Sequence, residues 1–487
     1  MFRIILRFIP IIIVLFSLSG CGGESNNSSP STYTIGGTVS GLSGSGLVLK
    51  NNGGDDLNIS GNGGFTFSAA ITDGNAYAVT VSTQPSSPAQ TCSVTNGSGT
   101  VSGSNVTNVS ISCVGKFTLT TNSDWVAFQD GPGGTWTKVT PDGGSGQVYT
   151  LAVTDPDGKY GIAFHTNYRD SFDGIVIMQA TLSDADSLIG PGLSCTTNPN
   201  GTIVNLDAGS SARVYASTSN AHSIVEGGTF NFNTIPCLTD IFGLQYNGSN
   251  VITEGQFTRD SNVSGSAIRD FDFSQSADIT GTTAHTFSAT GADYTGVDFV
   301  SNNGTYINLG SSSWQAFNDG TITGDRYRFG AADNTSGTVQ MKYIDASTDP
   351  GNQSTDISNI SALSGVTIAD PTTTGLSYTP DASSPPLRYW YFYYEQGAPI
   401  TLNWDMFVTV GWMGAATSYS RPDLTGVTGF TWEFASSTPV SVQVSAGMIN
   451  RTMSQVIADA GQDFSKVPFF KAGVVYEQAT TLDSFTP

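Results

Sequence analysis

With 487 residues the chain is too long for one compact core, and we expect about three domains in series by the rule of roughly 100 to 200 residues each. The formal net charge is −21 and the 18 lysines and arginines form no cluster, which excludes nucleic acid as a partner because phosphate binding needs grouped cations. Only 12% of the residues are charged, so the polar surface consists of Ser, Thr, Asn and Gly, which is typical of an extracellular β protein rather than a cytoplasmic enzyme.

The first twenty residues have the pattern of an export signal. Arg3 and Arg7 precede an apolar run from Phe8 to Leu18. A helix that spans a membrane needs about 20 apolar residues, whereas this run has about eleven and contains Pro10. We therefore predict a cleavable signal peptide at residues 1–20 rather than a transmembrane anchor.

The end of this segment, Leu18-Ser19-Gly20-Cys21, resembles the bacterial lipobox, and the chain is identified on it as a bacterial lipoprotein. The resemblance implies transfer of diacylglycerol to the thiol of Cys21, cleavage before Cys21 and acylation of the new amino group. Several acyl chains hold a protein stably in a lipid bilayer. Gly22 and Gly23 stand where an inner-membrane retention signal has an aspartate, which implies the outer membrane. We expect a lipid-anchored protein displayed at the cell surface, with the periplasmic face as the open alternative, and a flexible tether at residues 21–32.

Residues 33–114 alternate short β-prone runs with glycine turns, which predicts a β-sandwich. Examples are residues 35–39, 65–67 and 77–81. The strings at residues 37–42, 47–57 and 91–101 resemble an Ig-like module that occurs singly or in tandem in surface lipoproteins of environmental bacteria. The resemblance implies a stalk or spacer that contributes no catalytic residues.

The chain has five cysteines, and four remain if Cys21 carries lipid. An even number in an oxidising compartment predicts two disulfides, and proximity in the sequence favours Cys92 with Cys113 and Cys195 with Cys237. The other two connectivities stay open. A zinc site is disfavoured because the cysteines lack C-x-x-C spacing and nearby histidines.

A motif repeats in the larger C-terminal part. Trp125–Gly131 reads W-V-A-F-Q-D-G, and Trp314–Gly320 reads W-Q-A-F-N-D-G at an offset of 189 positions. If the similarity is not coincidence, residues 115–303 and 304–487 are the two arms of a duplication, each rich in strands. A helix is indicated only near residues 451–460. The predicted fold class is therefore all-β, with several β-sandwich (Ig-like) modules in series after a lipoprotein signal peptide.

Candidate metal ligands have ordinary explanations in this sequence. Four pairs of aspartates can supply Ca²⁺ ligands, but we expect them to cap turns. They are Asp155 with Asp157, Asp170 with Asp173, Asp184 with Asp186 and Asp270 with Asp272. The three histidines, His165, His222 and His285, share no metal-ligand spacing. We expect no metal, no cofactor and no serine-hydrolase site, since no G-x-S-x-G occurs.

The run Tyr389–Tyr394 places aromatic side chains on both faces of a strand. One interpretation is a central strand buried on both sides. The other is a stacking platform for sugar rings or a partner protein, to which Trp390, Trp404, Trp412 and Trp432 contribute. Glu395 and Glu433 stand beside aromatics and are the candidate carboxylate pair of a glycosidase, a weaker hypothesis. We expect no enzyme but a structural or adhesive role, with an extracellular glycan or protein as ligand; the alternative is a carbohydrate-binding or carbohydrate-hydrolysing surface protein.

Overall fold

The computed structural model has 58% of its residues in strands and 2% in helices, which confirms the all-β prediction. Among the described residues, no helix is long and apolar enough to cross a membrane. The structure describes residues 30–86, 88–142, 147–169, 172–189, 196–197, 200–216, 220–224, 227–231, 235–236, 240–258, 271–275, 277–301, 305–321, 323–334, 338–346, 349–397, 401–460 and 475–487.

The N-terminal module is a small sandwich with its own core. Its strands are β1 (Thr32–Tyr33), β2 (Ile35–Ser40), β3 (Leu47–Asn51), β4 (Gly54–Ile59), β5 (Gly63–Thr66), β6 (Ile71–Thr72), β7 (Ala76–Thr83), β8 (Gln90–Thr95), β9 (Ser98–Thr100) and β10 (Val106–Thr121). One sheet contains β5, β2, β10 and β8, and the other has the order β4-β3-β7-β9. The apolar positions of both sheets meet between them, with Ile35, Leu49 and Ile111 fully buried.

Cys92 and Cys113 form a disulfide across directly facing positions of β8 and β10, as predicted. Cys21, Cys195 and Cys237 lie outside the described residues. Their neighbours in sequence are described, and Thr196 faces Pro236 in a short antiparallel ladder. The pairing of Cys195 with Cys237 stays a prediction.

The strands after the module are β11 (Val126–Asp130), β12 (Thr137–Lys138), β13 (Gln147–Val153), β14 (Lys159–Arg169), β15 (Phe172–Thr181), β16 (Ser187–Ile189), β17 (Thr196–Thr197), β18 (Asn200–Val204), β19 (Ser211–Ala216), β20 (Asn220–Ile224), β21 (Thr229–Asn231), β22 (Ile235–Pro236), β23 (Ile241–Tyr246), β24 (Ile252–Thr258), β25 (Phe271–Asp272), β26 (Thr282–Thr290), β27 (Tyr294–Val300), β28 (Tyr306–Gly310) and β29 (Ser313–Phe317). They are followed by β30 (Arg326–Asp333), β31 (Thr338–Ala346), β32 (Gln353–Asp356), β33 (Thr367–Ala369), β34 (Thr372–Thr374), β35 (Leu387–Gln396), β36 (Thr401–Thr409), α1 (Val410–Met413), β37 (Ser418–Ser420), β38 (Val440–Ile449), α2 (Met453–Ala460) and β39 (Val475–Phe485).

Strand β10 joins the module to the rest of the chain. Its first half pairs with β2 and β8, and from Gly115 onward it pairs with β13. The strand therefore passes without a break through the predicted boundary between residues 33–114 and 115–303. The backbone hydrogen bonds of a shared strand fix the strands on both sides of the boundary. A shared strand therefore holds the orientation of the two regions, whereas a flexible linker does not.

One large sheet dominates the remaining residues. Its fifteen strands have the order β12-β11-β14-β15-β36-β35-β38-β39-β31-β30-β27-β28-β29-β26-β32. Strands from residues 115–303 lie in three groups, β12-β11-β14-β15, β27 and β26, with strands from residues 304–487 between them. The predicted division at residue 303 thus does not coincide with a break in this sheet.

The two faces of this sheet have different surroundings. The core face carries alternate residues such as Trp390, Phe392 and Trp404, and packs against the sheet β20-β19-β23-β24 and the loops around β33, β34 and β37. We name the opposite face, from β36 to β27, the tyrosine face. It is defined by Asp405 and Phe407 of β36, Tyr389, Tyr391, Tyr393 and Glu395 of β35, Gln443 and Ser445 of β38, Tyr476 and Gln478 of β39, Met341, Tyr343 and Asp345 of β31, Arg326 and Arg328 of β30, and Tyr294 and Asp298 of β27.

Candidate functional site

The four tryptophans predicted as a ligand platform are mostly core residues. Trp390, Trp404 and Trp412 are exposed by only 3%, 0% and 8%. Trp432 is half-buried, and its backbone carbonyl accepts a hydrogen bond from Nε1 of Trp404 at 2.9 Å. The ring of Trp432 stacks on His165 with centroids 4.3 Å apart. Three of the four rings therefore have no open face, and the structure corrects the platform interpretation in favour of burial.

The sheet separates the two glutamates proposed as a glycosidase pair. Glu395 belongs to the tyrosine face, where its Oε2 accepts a hydrogen bond from the Tyr393 hydroxyl at 2.8 Å. Glu433 lies beside Arg421, whose guanidinium is 4.7 Å from the ring of Trp404 on the core face. Two carboxylates on opposite faces cannot act on one glycosidic bond, which they must flank.

Tyrosine rings lie flat on glycine positions of the tyrosine face. Tyr343 faces Gly330 across the strand pair, and a Cβ at residue 330 would lie 2.8 Å from Cε1 of that ring. Tyr389 covers its cross-strand partner Gly447 in the same way. Tyr294 lies over Gly296 and remains 59% exposed. A glycine without a side chain lets an aromatic ring cover the backbone, so the rings present their flat sides instead of standing on edge.

A cavity of about 200 Å³ opens at the centre of this face. It is formed by five adjacent strands, β36, β35, β38, β39 and β31. Its walls are Met341, Tyr389, Tyr391, Asp405, Phe407, Gln443, Tyr476 and Gln478. The volume is below the roughly 300 to 1,000 Å³ of sites for drug-sized ligands, so the cavity fits one small group.

Asp405 is the charged residue in the cavity wall. One carboxylate oxygen accepts a hydrogen bond from the Tyr391 hydroxyl at 2.5 Å, and the other accepts from Nδ2 of Asn403 at 2.6 Å. The residue is only 9% exposed, and burial raises the pKa of its carboxyl group. Within the described part of the chain, no lysine, arginine or histidine forms an ion pair with it.

Most hydrogen-bond donors in the cavity wall are already engaged. Nε2 of Gln478 donates to Ser445 and Thr480, each at 2.8 Å. The Tyr476 hydroxyl donates to Oε1 of Gln478. The cavity is therefore rich in acceptor oxygens and aromatic faces, and both carry negative electrostatic potential.

Cations elsewhere on the tyrosine face are neutralised within the protein. Asp345 accepts hydrogen bonds from Arg326 at 3.1 Å and from Arg328 at 3.0 and 3.2 Å. Nη1 of Arg328 also donates to the Tyr306 hydroxyl at 3.0 Å. Because the Asp345 side chain is fully buried, we assign this group a structural role.

The repeated motif builds the same turn twice. Asp130 accepts hydrogen bonds from the backbone N–H and the hydroxyl of Thr154, and Asp319 accepts the same two bonds from Thr280. The following glycine has a left-handed backbone in both copies, with φ of 73° in the first and 77° in the second. Only glycine adopts this conformation at no steric cost, which explains why the letters D-G recur.

Each copy also places its tryptophan opposite a histidine. The backbone carbonyl of Trp125 accepts a bond from the N–H of His165 at 3.1 Å, and Trp314 is paired directly with His285. A ring nitrogen of each histidine lies 2.9 Å from an aspartate oxygen. The two copies of the repeated motif therefore share a local geometry, although the histidine follows the motif in the sequence in one copy and precedes it in the other. Common descent of the two copies stays a prediction.

Three of the described aspartates from the candidate calcium pairs, Asp155, Asp184 and Asp272, cap turns. Oδ1 of Asp155 accepts the backbone N–H groups of Asp157 and Lys159, both at 3.0 Å. Hydrogen bonds from Asn205 and Ser274 lower the pKa of Asp272 to about 2. In the described residues, no three His, Cys, Asp or Glu side chains are grouped to hold a metal. The side chains of Asp170, Asp173, His222 and Asp270 lie outside that part.

No family model matches this chain, and no curated protein is similar to it. The assignment of a role rests on the geometry above.

Sequence reasoning missed the residues that the tyrosine face brings together. Asp405 is the one charged residue of the strand T-L-N-W-D-M-F-V-T, and this was the visible signal. Gln443 lies in a strand that alternates polar and apolar residues, a pattern that gives the face but not the partner strand, whereas the strand of Gln478 has no such alternation.

Proposed function

We propose that this protein is a lipid-anchored lipoprotein of the outer membrane with a non-enzymatic binding role, and that it holds its ligand on the tyrosine face. One observation carries the proposal. Strand β35 buries Trp390, Phe392 and Tyr394 on the core face. On the other face Tyr389 is buried in a second hydrophobic cluster, and Tyr391 and Tyr393 are half-exposed among amide, hydroxyl and carboxylate groups.

This mixture of groups suits recognition. Tyrosine gives a large contact area at a low entropic cost because it has two rotatable side-chain bonds, and amide and hydroxyl groups supply adaptable hydrogen bonds. The N-terminal module continues through β10 into the larger region, which suits a stiff spacer between the anchor and the binding face. The charge of −21 disfavours direct adsorption to anionic membrane surfaces and keeps the region soluble.

The first experiment is protease shaving of intact cells, followed by blotting for the region after Gly115, with a periplasmic protein as the leakage control. Cleavage of that region at a concentration that spares the control supports surface display. Full protection would reject display and assign the binding role to the periplasm.

A second candidate is glycan binding, which the 59% exposed ring of Tyr294 and the half-buried ring of Tyr343 favour because sugar rings stack on accessible aromatic faces. The test is a glycan array probed with the purified protein and with the Tyr294→Ala and Tyr343→Ala variants. Loss of a signal in both variants, with unchanged thermal unfolding, supports a sugar platform. A signal that persists in both removes this candidate without affecting the shaving result.

A further inference from the structure

The cavity around Asp405 combines three features that select one class of ligand. Its walls include the rings of Tyr389, Tyr391, Phe407 and Tyr476, contributed by three strands. Tyr391 and Phe407 are only 4.7 Å apart between ring centroids. A carboxylate lies in the same wall. Aromatic faces and a carboxylate attract a cation together, the faces through their quadrupole and the carboxylate through its charge.

Asp405 lacks a cationic partner among the described residues, and this is the second feature. Burying a carboxylate without a counter-charge costs free energy, and two hydrogen bonds offset that cost only in part. The raised pKa of Asp405 is a consequence of the same burial. A cationic ligand would supply the missing charge where the protein supplies none.

The third feature is the shortage of ligands for a metal and of donors for an anion. Ca²⁺ needs six to eight oxygen ligands at close range, several of them carboxylates, whereas the wall has a single carboxylate and its other side-chain oxygens belong to glutamines and tyrosines. An anion would meet a carboxylate inside a chain of net charge −21. A compact organic cation satisfies the carboxylate and contacts the rings through its alkyl groups.

We propose that this cavity binds an alkylated ammonium group, of which the trimethylammonium head of choline is the simplest example. The inference deepens the proposed function, since it uses the same face and rests on that face being a binding surface. It assigns Asp405 as the charge partner, and it assigns the surrounding rings as the cage for the methyl groups.

The test is isothermal titration of the purified full-length lipoprotein with choline chloride, with 3,3-dimethylbutan-1-ol as the neutral compound of the same shape. We expect choline to bind at least tenfold more tightly than the alcohol. Equal binding of the two, binding of neither, or binding of glucose with no binding of choline would overturn the proposal. None of these results changes the outcome of the protease-shaving experiment. Failure of ammonium binding can therefore be distinguished from failure of surface display.

Matched variants assign the binding to the cavity. Asp405→Asn keeps the shape of the side chain and removes its charge, and we expect a loss of choline affinity of tenfold or more. Tyr391→Phe keeps the ring of the cage and removes the hydroxyl that donates to Asp405, so we expect a smaller loss of choline affinity than in Asp405→Asn. Asp356→Asn, at an exposed aspartate outside the tyrosine face, is the control. Choline affinity that Asp405→Asn leaves unchanged would contradict the proposal.

Titration with glycerophosphocholine distinguishes the two sources of the ammonium group. This compound carries the lipid head group without its acyl chains, and its affinity is compared with that of choline. Affinity equal to or above that of choline assigns a lipid head group. A clear loss of affinity assigns a free ammonium compound, since the phosphate then meets the acidic surroundings of Asp405.

Discussion

Strand β35 presents aromatic side chains on both faces, and the two sets have different surroundings. On the core face, Trp390, Phe392 and Tyr394 are exposed by 3%, 0% and 1%. On the tyrosine face, Tyr389 is buried at one end of the strand, whereas Tyr391 and Tyr393 are half-buried and each hydroxyl donates to a carboxylate. Residue type alone does not separate the two sets, because both contain tyrosine.

The neighbouring strands decide which face becomes core. The core face of β38 supplies apolar residues beside β35, and its other face supplies polar ones. The apolar set is Val442, Val444 and Ala446, and the polar set is Gln443 and Ser445. A ring among branched aliphatic residues is packed on all sides, whereas a ring among amides and hydroxyls keeps access to water. The comparison teaches that one alternating strand can serve stability with one face and binding with the other.

The largest expected effect is the loss of a core-face ring. Trp404→Ala removes a fully buried side chain and the hydrogen bond to the carbonyl of Trp432, so we expect the free energy of unfolding to fall by about 3–5 kcal/mol. Chemical denaturation followed by tryptophan fluorescence measures it. Tyr391→Ala on the opposite face of the sheet is the comparison and should cost clearly less. Equal losses would break the distinction between the faces.

The next effect comes from the buried ion group of the tyrosine face. Asp345→Asn leaves Arg326 and Arg328 side by side without a counter-charge, and we expect a loss of about 3 kcal/mol. The measurement is again the midpoint and slope of chemical denaturation. Asp356→Asn, at an exposed aspartate, is the control and should change the free energy of unfolding by less than about 0.5 kcal/mol. A neutral result for Asp345→Asn would assign the group to ligand binding instead of structure.

Asp405 gives a third prediction, with a dependence on pH. Burial raises its pKa above that of the unfolded chain, so the folded protein holds the proton more tightly. The wild type should therefore lose stability relative to Asp405→Asn as pH rises from below the unfolded pKa of about 3.9 through the raised folded value. Denaturation at pH 3 and pH 7 measures the difference, which is about 1.4 kcal/mol for each pH unit between the two pKa values.

Two nearby groups must be separated from that signal. Glu395 and Tyr393 of β35 lie beside Asp405, and Glu395 carries a carboxyl group of its own. Introducing Glu395→Gln or Tyr393→Phe into both the wild type and Asp405→Asn removes the contribution of each. A wild type that gains stability relative to Asp405→Asn between pH 3 and pH 7 has the opposite sign and would show that hydrogen bonds from Tyr391 and Asn403 outweigh burial.

The sequence predicted the parts of the fold that depend on local pattern. Alternation of apolar and polar residues gave the β class, and proximity gave the disulfide of Cys92 with Cys113. The helix near residues 451–460 also formed, as α2. The order of fifteen strands did not follow, because β15 pairs with β36 across more than 200 residues, and no local pattern encodes such a partner.

The candidate site was predicted only in its location on the chain. The aromatic run at β35 was recognised, but which three rings face the core depends on what packs against each face. The flat position of Tyr343 depends on Gly330 of a different strand, and the partner of Tyr389 is Gly447. Pairs of this kind belong to the register of the sheet, which a single sequence does not reveal.

The smallest expected effect is at Tyr393, and it separates binding from stability most directly. Tyr393→Phe removes a hydroxyl that donates to Glu395 at a half-exposed position, so water replaces the lost partner. We expect the free energy of unfolding to change by less than about 1 kcal/mol, measured against Tyr394→Phe on the core face, where burial is nearly complete. Because the ring of Tyr393 stays in place, a change in ligand affinity without a change in stability would show that the tyrosine face binds through its hydroxyl groups as well as its rings. A loss of stability that exceeds that of Tyr394→Phe would instead extend the buried cluster around Tyr389 along that face to Tyr393.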